Sequence, residues 1–339
     1  MITTNKKILL IVDDIYSQGG TQSFALNFQK SLKDKFKEVN ILSIKGISCI
    51  QKKTIGLNLK RNIEILFAKN LIKKSVENYD LIIVLSGQIF QYIFLFLDNN
   101  KTIYRESNTV FSRLNNQSTF KKYFQLFLYK LFIRIKPNLI AQNTETYNQL
   151  KIMKRNVDNL KLIPNPSFSN VKNNLKGIID RKYDFAIASR ATYSKGIDRI
   201  NTFLEVTNKE VLVMGEHKEK RYEFKENIKY AGRVNNVEDM LLDVKIVLLL
   251  SRYEGFPNII HEGIQSGCIF IVSKELEWLI KDNYFPKEFV KVVNFNDKSD
   301  NISQIVKILS KHKIIPNESI RRDIYQKYSP DIYIEKILK

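Results

Sequence analysis

The sequence predicts an α/β protein built from two doubly wound, Rossmann-like domains. Three observations predict it: short apolar runs alternate with longer amphipathic stretches, the alternation comes in two separate series, and a segment rich in Pro, Asn and Ser divides them. Apolar runs separated by helical patterns are those of a parallel sheet covered by helices on both faces. At 339 residues the chain is also longer than one core usually supports.

The first series places strands at Lys7 to Val12, Val39 to Ile44, Leu81 to Leu85, Thr102 to Tyr104 and Leu139 to Ala141, with helical stretches such as Gln22 to Phe36 between them. The second places strands at Tyr183 to Ala188, Glu210 to Met214, Lys229 to Ala231, Lys245 to Leu250, Cys268 to Val272 and Val290 to Val292. The break falls in PNPSFSNVKNNLKG, residues 164–177. The domains are accordingly placed at residues 1–166 and 183–322, joined by a linker over 167–182, with a final helix over 323–339.

Charge narrows the partners. With 55 Lys+Arg against 35 Asp+Glu the formal charge is +20, which favours anionic partners: nucleotides, nucleic acid or an acidic membrane face. Much of the excess is Lys scattered among Asn and Ile, which also fits compositional bias. Nucleic acid is not expected, because no helix-turn-helix, RNP-type aromatic strand or zinc spacing is present. Cys49 and Cys268 stand far apart in apolar contexts and suit a reducing compartment. The opening MITTNKKILLIVDD reads as a first strand and not as a signal peptide, and no segment approaches the roughly 20 uncharged apolar residues that cross a bilayer. The expected location is the cytoplasm, or the inner face of the plasma membrane as a peripheral protein.

The most informative stretch is SRYEGFPNIIHEG, residues 251–263, directly after an apolar strand. The strand runs to Leu250, a loop covers Ser251 to Phe256, and a helix starts near Pro257 and stops before Gly267. In open α/β sheets ligands lie beyond the carboxyl ends of strands, near helix N-termini. Glu254 and Glu262 fall there, and ionised carboxylates accept sugar hydroxyls well. The same spacing also suits two solvated acids that share only proximity.

SRATYSKGID, residues 189–198, follows another strand and carries Arg190 and Lys195 around a turn closed by Gly196. Two cations beside a helix N-terminus suit a diphosphate, although solvated basic residues are common in so basic a chain. YSQGGTQS, residues 16–23, sets Gly19 and Gly20 between the first strand and helix, where a backbone approaches a ligand or turns tightly. It does not spell the dinucleotide fingerprint, for want of a third glycine at the needed offset.

GGTQSFALNFQKSL, LIPNP, SRATYSKGIDRI, AGRVNNVEDML and SRYEGFPNIIHEGIQSG, in this order, resemble the retaining glycosyltransferases of family four, which have the GT-B fold: two such domains facing across a cleft. The resemblance spans nearly the whole chain and is strongest from Leu162 to Val272. It implies that Arg190 and Lys195 bind the diphosphate of a nucleotide-sugar and stabilise the leaving nucleoside diphosphate, UDP or GDP. It implies that Glu262 holds the ribose hydroxyls, and that Glu254, with Gly255, Phe256, Pro257 and Asn258, holds the transferred hexose. Gly232, Arg233 and Val234 would pass near the base, and Gly19 and Gly20 would lie against donor phosphate and acceptor, with Gln18, Thr21, Glu106 and Asn108 on the acceptor side. Enzymes of this kind need no metal or other cofactor, and the cations take a metal's place at the leaving group. The tail would return toward the first domain as one last helix.

One departure concerns the first domain, where many relatives carry a His after the strand matching Thr102 to Tyr104. Here the segment is YRESNTVF, with Arg105, Glu106, Ser107 and Asn108, and the three histidines His217, His261 and His312 all fall in the second domain. A nucleotide-sugar epimerase would need its own acid and His constellation there. A non-catalytic GT-B subunit supporting an active partner would usually lose the cations and acids that this chain keeps.

The acceptor side rests on TFKKYFQLFLYKLFIRIK, residues 119–136, which mixes aromatics with Lys121, Lys122, Lys130, Arg134 and Lys136. An interfacial helix on anionic lipid has this composition. Phe124, Phe127, Leu128 and Leu131 also suit simple packing of the helix on the first sheet. With a membrane-facing edge the expected acceptor is a saccharide linked to a polyprenyl-type lipid.

Overall fold

The computed structural model describes residues 4–16, 19–45, 54–56, 65, 68–86, 89–107, 119–135, 137–153, 159–173, 175–207, 209–216, 226–295, 304–305, 307–308 and 315–339. It divides into two compact units, Met1–Asn165 with Pro330–Lys339, and Pro166–Ser329.

The first unit holds a parallel sheet of seven strands: β1 (Thr4–Val12), β2 (Phe36–Ser43), β3 (Thr54–Gly56), β4 (Leu81–Val84), β5 (Thr102–Glu106), β6 (Asn138–Ala141) and β7 (Leu160–Leu162). Their order is β3-β2-β1-β4-β5-β6-β7. Its described helices are α1 (Gly20–Leu32), α2 (Lys69–Val76), α3 (Phe90–Ile93), α4 (Thr119–Arg134) and α5 (Thr144–Met153), with α11 (Pro330–Leu338) from the end of the chain. β1 pairs β2 with Ile11 opposite Leu42 and β4 with Ile11 opposite Val84, so the sheet reverses its winding at β1.

The second unit repeats the plan with six parallel strands: β8 (Tyr183–Ala188), β9 (Val211–Met214), β10 (Ile228–Gly232), β11 (Val244–Leu249), β12 (Ile269–Ser273) and β13 (Val290–Val293), in the order β10-β9-β8-β11-β12-β13. Its described helices are α6 (Arg199–Thr207), α7 (Val237–Leu241), α8 (Asn258–Gln265), α9 (Trp278–Lys281) and α10 (Glu318–Lys327). Alternate residues of β11 serve opposite layers. Val247 and Leu249 pack with Phe256, Ile260 and Ile264, and Ile246 and Leu248 pack with Phe185, Ile200 and Phe203. Burial on both faces is what makes VKIVLL almost continuously apolar. The topological switch point lies between β8 and β11, which pair directly with Val247 opposite Ala186.

Gly267 ends α8 at φ 78, the left-handed conformation that closes helices and that side chains resist. Two boundaries differ from the expectation. The tail is not one helix: Pro330 opens α11, has no N–H to give, and disfavours helical backbone at Ser329, so α10 stops at Lys327. The chain accordingly passes back to the first unit at Pro330, and residues 323–329 stay with the second. Residues 167–182, read as a linker, and Pro166, read as the end of the first domain, also cluster with the second unit. Arg181 explains part of this, since its buried guanidinium donates to Val244 O (2.6 Å) and Ser266 O (2.9 Å).

Candidate functional site

The two loops singled out in the sequence leave the carboxyl ends of β8 and β11, on either side of the switch point. The first begins at Ser189 and forms a 3₁₀ turn over Tyr193–Lys195. Gly196 closes that turn at φ 73, and a Cβ there would collide with the carbonyl oxygen of Leu250, at the root of the second loop. Glycine is therefore required: it lets the backbones of the two loops touch.

That contact brings Lys195 to Glu254. The Lys195 ammonium and the Glu254 carboxylate form an ion pair at 2.5 Å, and Ser251 Oγ donates to the same Glu254 oxygen at 2.7 Å. The Glu254 side chain is only 11% exposed, so the pair is largely shielded from water and keeps more of its Coulomb attraction than a surface pair does. Ser251 is fixed in turn, its carbonyl accepting from Ser273 Oγ at 2.5 Å. Arg190 is exposed and makes no ion pair with any described residue; its backbone follows Ser189, whose carbonyl oxygen packs on Gly215.

Gly255, Phe256 and Pro257 are buried and Asn258 half-buried at the start of α8. Phe256 anchors the loop from beneath, its ring lying 5.4 to 6.3 Å from those of Tyr284, His261, Trp278, Phe285 and Tyr328. His261 belongs to this buried cluster; His217 and His312 lie outside the described residues. Glu262 lies one turn into α8, half-buried. Burial, reinforced by the Glu238 carboxylate, pushes its carboxyl up to about 7. Gly232 has φ 64, and its carbonyl accepts from Gly215 N–H at 2.7 Å, so the end of β10 is tied to the end of β9; Arg233 is exposed and Val234 half-buried. Cys268 is buried behind α8 and its thiol is pushed up to about 12 by burial; Cys49 lies outside the described residues.

Sequence reasoning missed the residues that hold these loops together. Arg252 makes paired bonds to Asp198 at 2.8 and 2.7 Å and stacks on Tyr193, with its guanidinium carbon 3.6 Å from the ring centroid. Arg199 donates to Leu250 O at 2.9 Å and pairs with Glu275. These partners are far apart in sequence, and no local spacing announces them.

In the first unit, Gln18 and Asn108 lie outside the described residues, and Thr21 is half-buried in the first turn of α1. Gly19 has φ 166, extended backbone open to any residue, so no tight turn demands glycine there. Glu106 is fully buried and accepts from the Tyr129 hydroxyl at 3.2 Å. Arg105 is buried too. It donates to Asn165 Oδ1 at 2.7 Å and covers the Phe24 ring at 3.9 Å. Helix α4 corrects the packing expectation: Leu128, Tyr129 and Phe132 are buried and Phe124 and Leu131 partly so, but Phe127 is 57% exposed. It stands in an exposed stripe with Phe120 (84%) and Tyr123 (67%), continued one and two turns on by Lys130 and Arg134. Lys136 and the side chain of Lys121 lie outside the described residues, and Lys122 is half-buried. Among the described residues, no group of three or more His, Cys, Asp or Glu is placed to hold a metal ion, and no helix is long and apolar enough to cross a membrane.

Two doubly wound parallel units of this order, with loops gathered at a switch point, have the GT-B fold of glycosyltransferases. The fold recurs in sucrose-phosphate synthase from Thermosynechococcus elongatus (TM-score 0.75, 13% identity, 98% of this chain and 97% of that one) and in HepE from Anabaena, solved with UDP and glucose (0.72, 11%, 98% and 98%). WaaG, a glycosyltransferase involved in lipopolysaccharide biosynthesis, is similar as well (0.71, 12%, 97% and 99%). Residues 186–311, which lie within the second unit, match the family described as glycosyl transferases group 1. Comparison with curated protein sequences found no match.

Proposed function

We propose that the protein is a retaining, metal-independent glycosyltransferase of the family-four type, moving a hexose from a nucleotide-diphosphate sugar to a saccharide acceptor. The observation that carries this reading is the Lys195–Glu254 pair at the switch point of the second unit. A cation suited to phosphate and an acid suited to sugar hydroxyls lie side by side, as the two halves of one donor require. The match of residues 186–311 to the group 1 glycosyl transferases and the UDP-glucose complex of HepE support a nucleotide-sugar donor. In the reaction the bond between sugar C1 and the phosphate oxygen breaks, a bond to the acceptor oxygen forms, and the acceptor's hydroxyl proton leaves with the departing phosphate. Lys195 and Arg190 meet the charge that builds on the departing UDP or GDP, the most effective place for fixed positive charge. Glu254 and the backbone of Gly255 to Asn258 orient the sugar, Glu262 accepts from the ribose hydroxyls, and Gly232 to Val234 line the base. Gly19 and Gly20 lie against the donor phosphate and the acceptor, and Thr21 serves the acceptor side.

The exposed Phe120, Tyr123 and Phe127, followed by Lys130 and Arg134, support a peripheral position on an anionic cytoplasmic leaflet and hence a lipid-linked acceptor in surface polysaccharide or glycoconjugate synthesis. Flotation with liposomes tests this: recovery on anionic vesicles, lost on Phe120→Ser with Phe127→Ser, is expected, and equal recovery with neutral and anionic vesicles removes it. Transfer and donor hydrolysis measured over a panel of nucleotide-sugars test the reaction. Glu254→Gln, Arg190→Ala and Lys195→Ala should each lower transfer at least a hundredfold, and unchanged transfer in all three refutes the site. Full transfer only in the presence of a second glycosyltransferase would favour a supporting subunit instead.

A further inference from the structure

We propose that Arg252 is a positioning residue, a clasp that holds the Lys195 turn against the Glu254 loop in the geometry a donor needs. The inference rests on the donor reading for the purpose of the clasp; the contacts themselves stand apart from it. Arg252 reaches the turn at four places. Its backbone N–H donates to Ser194 O at 2.9 Å, and its Nη1 donates to Tyr193 O at 2.5 Å. Nη1 and Nη2 reach the two Asp198 oxygens at 2.8 and 2.7 Å, and the guanidinium covers the Tyr193 ring at 3.6 Å.

Lys195 is thus bracketed, with gripped residues on both sides of it in sequence. The turn itself is one 3₁₀ turn with no side-chain bond at its N-cap, held besides by its own backbone bonds, a Thr192–Ser194 hydroxyl contact at 3.0 Å and the Lys195–Glu254 pair. At its other end Arg252 lies between Ser251, which donates to Glu254, and Glu254 itself, so one residue ties the cation's loop to the acid's loop. Only a planar fork can make paired bonds to a carboxylate and cover a ring at once, and a lysine there could do neither well. Burial alone would raise the Asp198 carboxyl, but Arg252 holds it below the usual carboxylate range, so the clasp stays charged through neutral pH.

The test uses the full chain in two independent arms. In the first, hydrogen exchange by mass spectrometry follows the amides of Lys195, Gly196 and Ile197, which bond back into the turn. Arg252→Ala, and the milder Asp198→Asn, should speed their exchange about tenfold while β12 is unchanged, and Arg252→Lys should not restore the wild-type rate. Unchanged exchange at 195–197, or a rise throughout the second unit, overturns the clasp. In the second arm UDP and GDP are titrated. Arg252→Ala should weaken whichever nucleotide binds about tenfold, yet less than twofold in a Lys195→Ala background, because the clasp acts through Lys195. An equal loss in both backgrounds refutes positioning. If Lys195→Ala binds nucleotide as the wild type does while exchange still rises in Arg252→Ala, the clasp stands and the donor assignment falls.

Discussion

Glu262 is held in a form that the fold does not favour, and Glu262→Gln should reveal it as a gain in stability that depends on pH. Its carboxyl has an ordinary value of 4.5 and is raised to about 7 by burial and by Glu238. A raised carboxyl pKa means that the folded unit holds the proton more tightly than the unfolded chain. Its contribution is then full below pH 4.5 and is lost as pH climbs through 7. Carried through the linkage relation, ionised Glu262 costs about 1 kcal/mol at pH 5 and about 3 kcal/mol at pH 8. Because the residue is only half-buried, screening by water trims the second figure to roughly 2 kcal/mol. Glutamine keeps the shape and removes the charge. Glu262→Gln should therefore raise the melting temperature by about 4–8 °C at pH 8 and about 2 °C at pH 5. Trp278, the single tryptophan, lies in the second unit, so its fluorescence follows the transition of that unit. An equal shift at both pH values, or a loss of stability at pH 8, would refute the reasoning.

Donor affinity should follow the same group in the opposite sense, since ribose hydroxyls need the ionised acid: binding of a nucleotide-sugar should strengthen about tenfold between pH 6 and pH 8 in calorimetry and be flat in Glu262→Gln. Gly196→Ala forces a side chain into the Leu250 carbonyl and should cost roughly 1–3 kcal/mol in urea denaturation, with UDP or GDP binding lost. Phe256→Ala empties the centre of the aromatic cluster and should cost about 3–5 kcal/mol, read as an earlier denaturation midpoint.

The sequence announced the strands that are buried on both faces, such as Leu81–Val84 and Tyr183–Ala188, because a short uninterrupted apolar run between amphipathic helices fits a strand covered on both sides and little else. It did not announce β3 or β7: each is three residues long and lies at an end of the first sheet, where a short pairing leaves no pattern to read. The loop residues Lys195 and Glu254 stood out by type and place, but their pairing did not, since it joins positions 59 apart. Arg252 and Asp198 are 54 apart, and their pairing is hidden for the same reason. Phe127 was misplaced because an aromatic at helical spacing reads as core, whereas the inward side of α4 is already filled by Leu128, Tyr129 and Phe132.

Helix α11 completes a body begun some three hundred residues earlier: Tyr333 meets the Phe24 and Phe28 rings at 5.8 and 5.5 Å, and Ile334 and Ile337 are buried with it. A ribosome therefore emits all of the second unit before the first can close. Until then Phe24 and Phe28 lack the cover of Tyr333, and loss of α11 would damage the half of the protein that was made first.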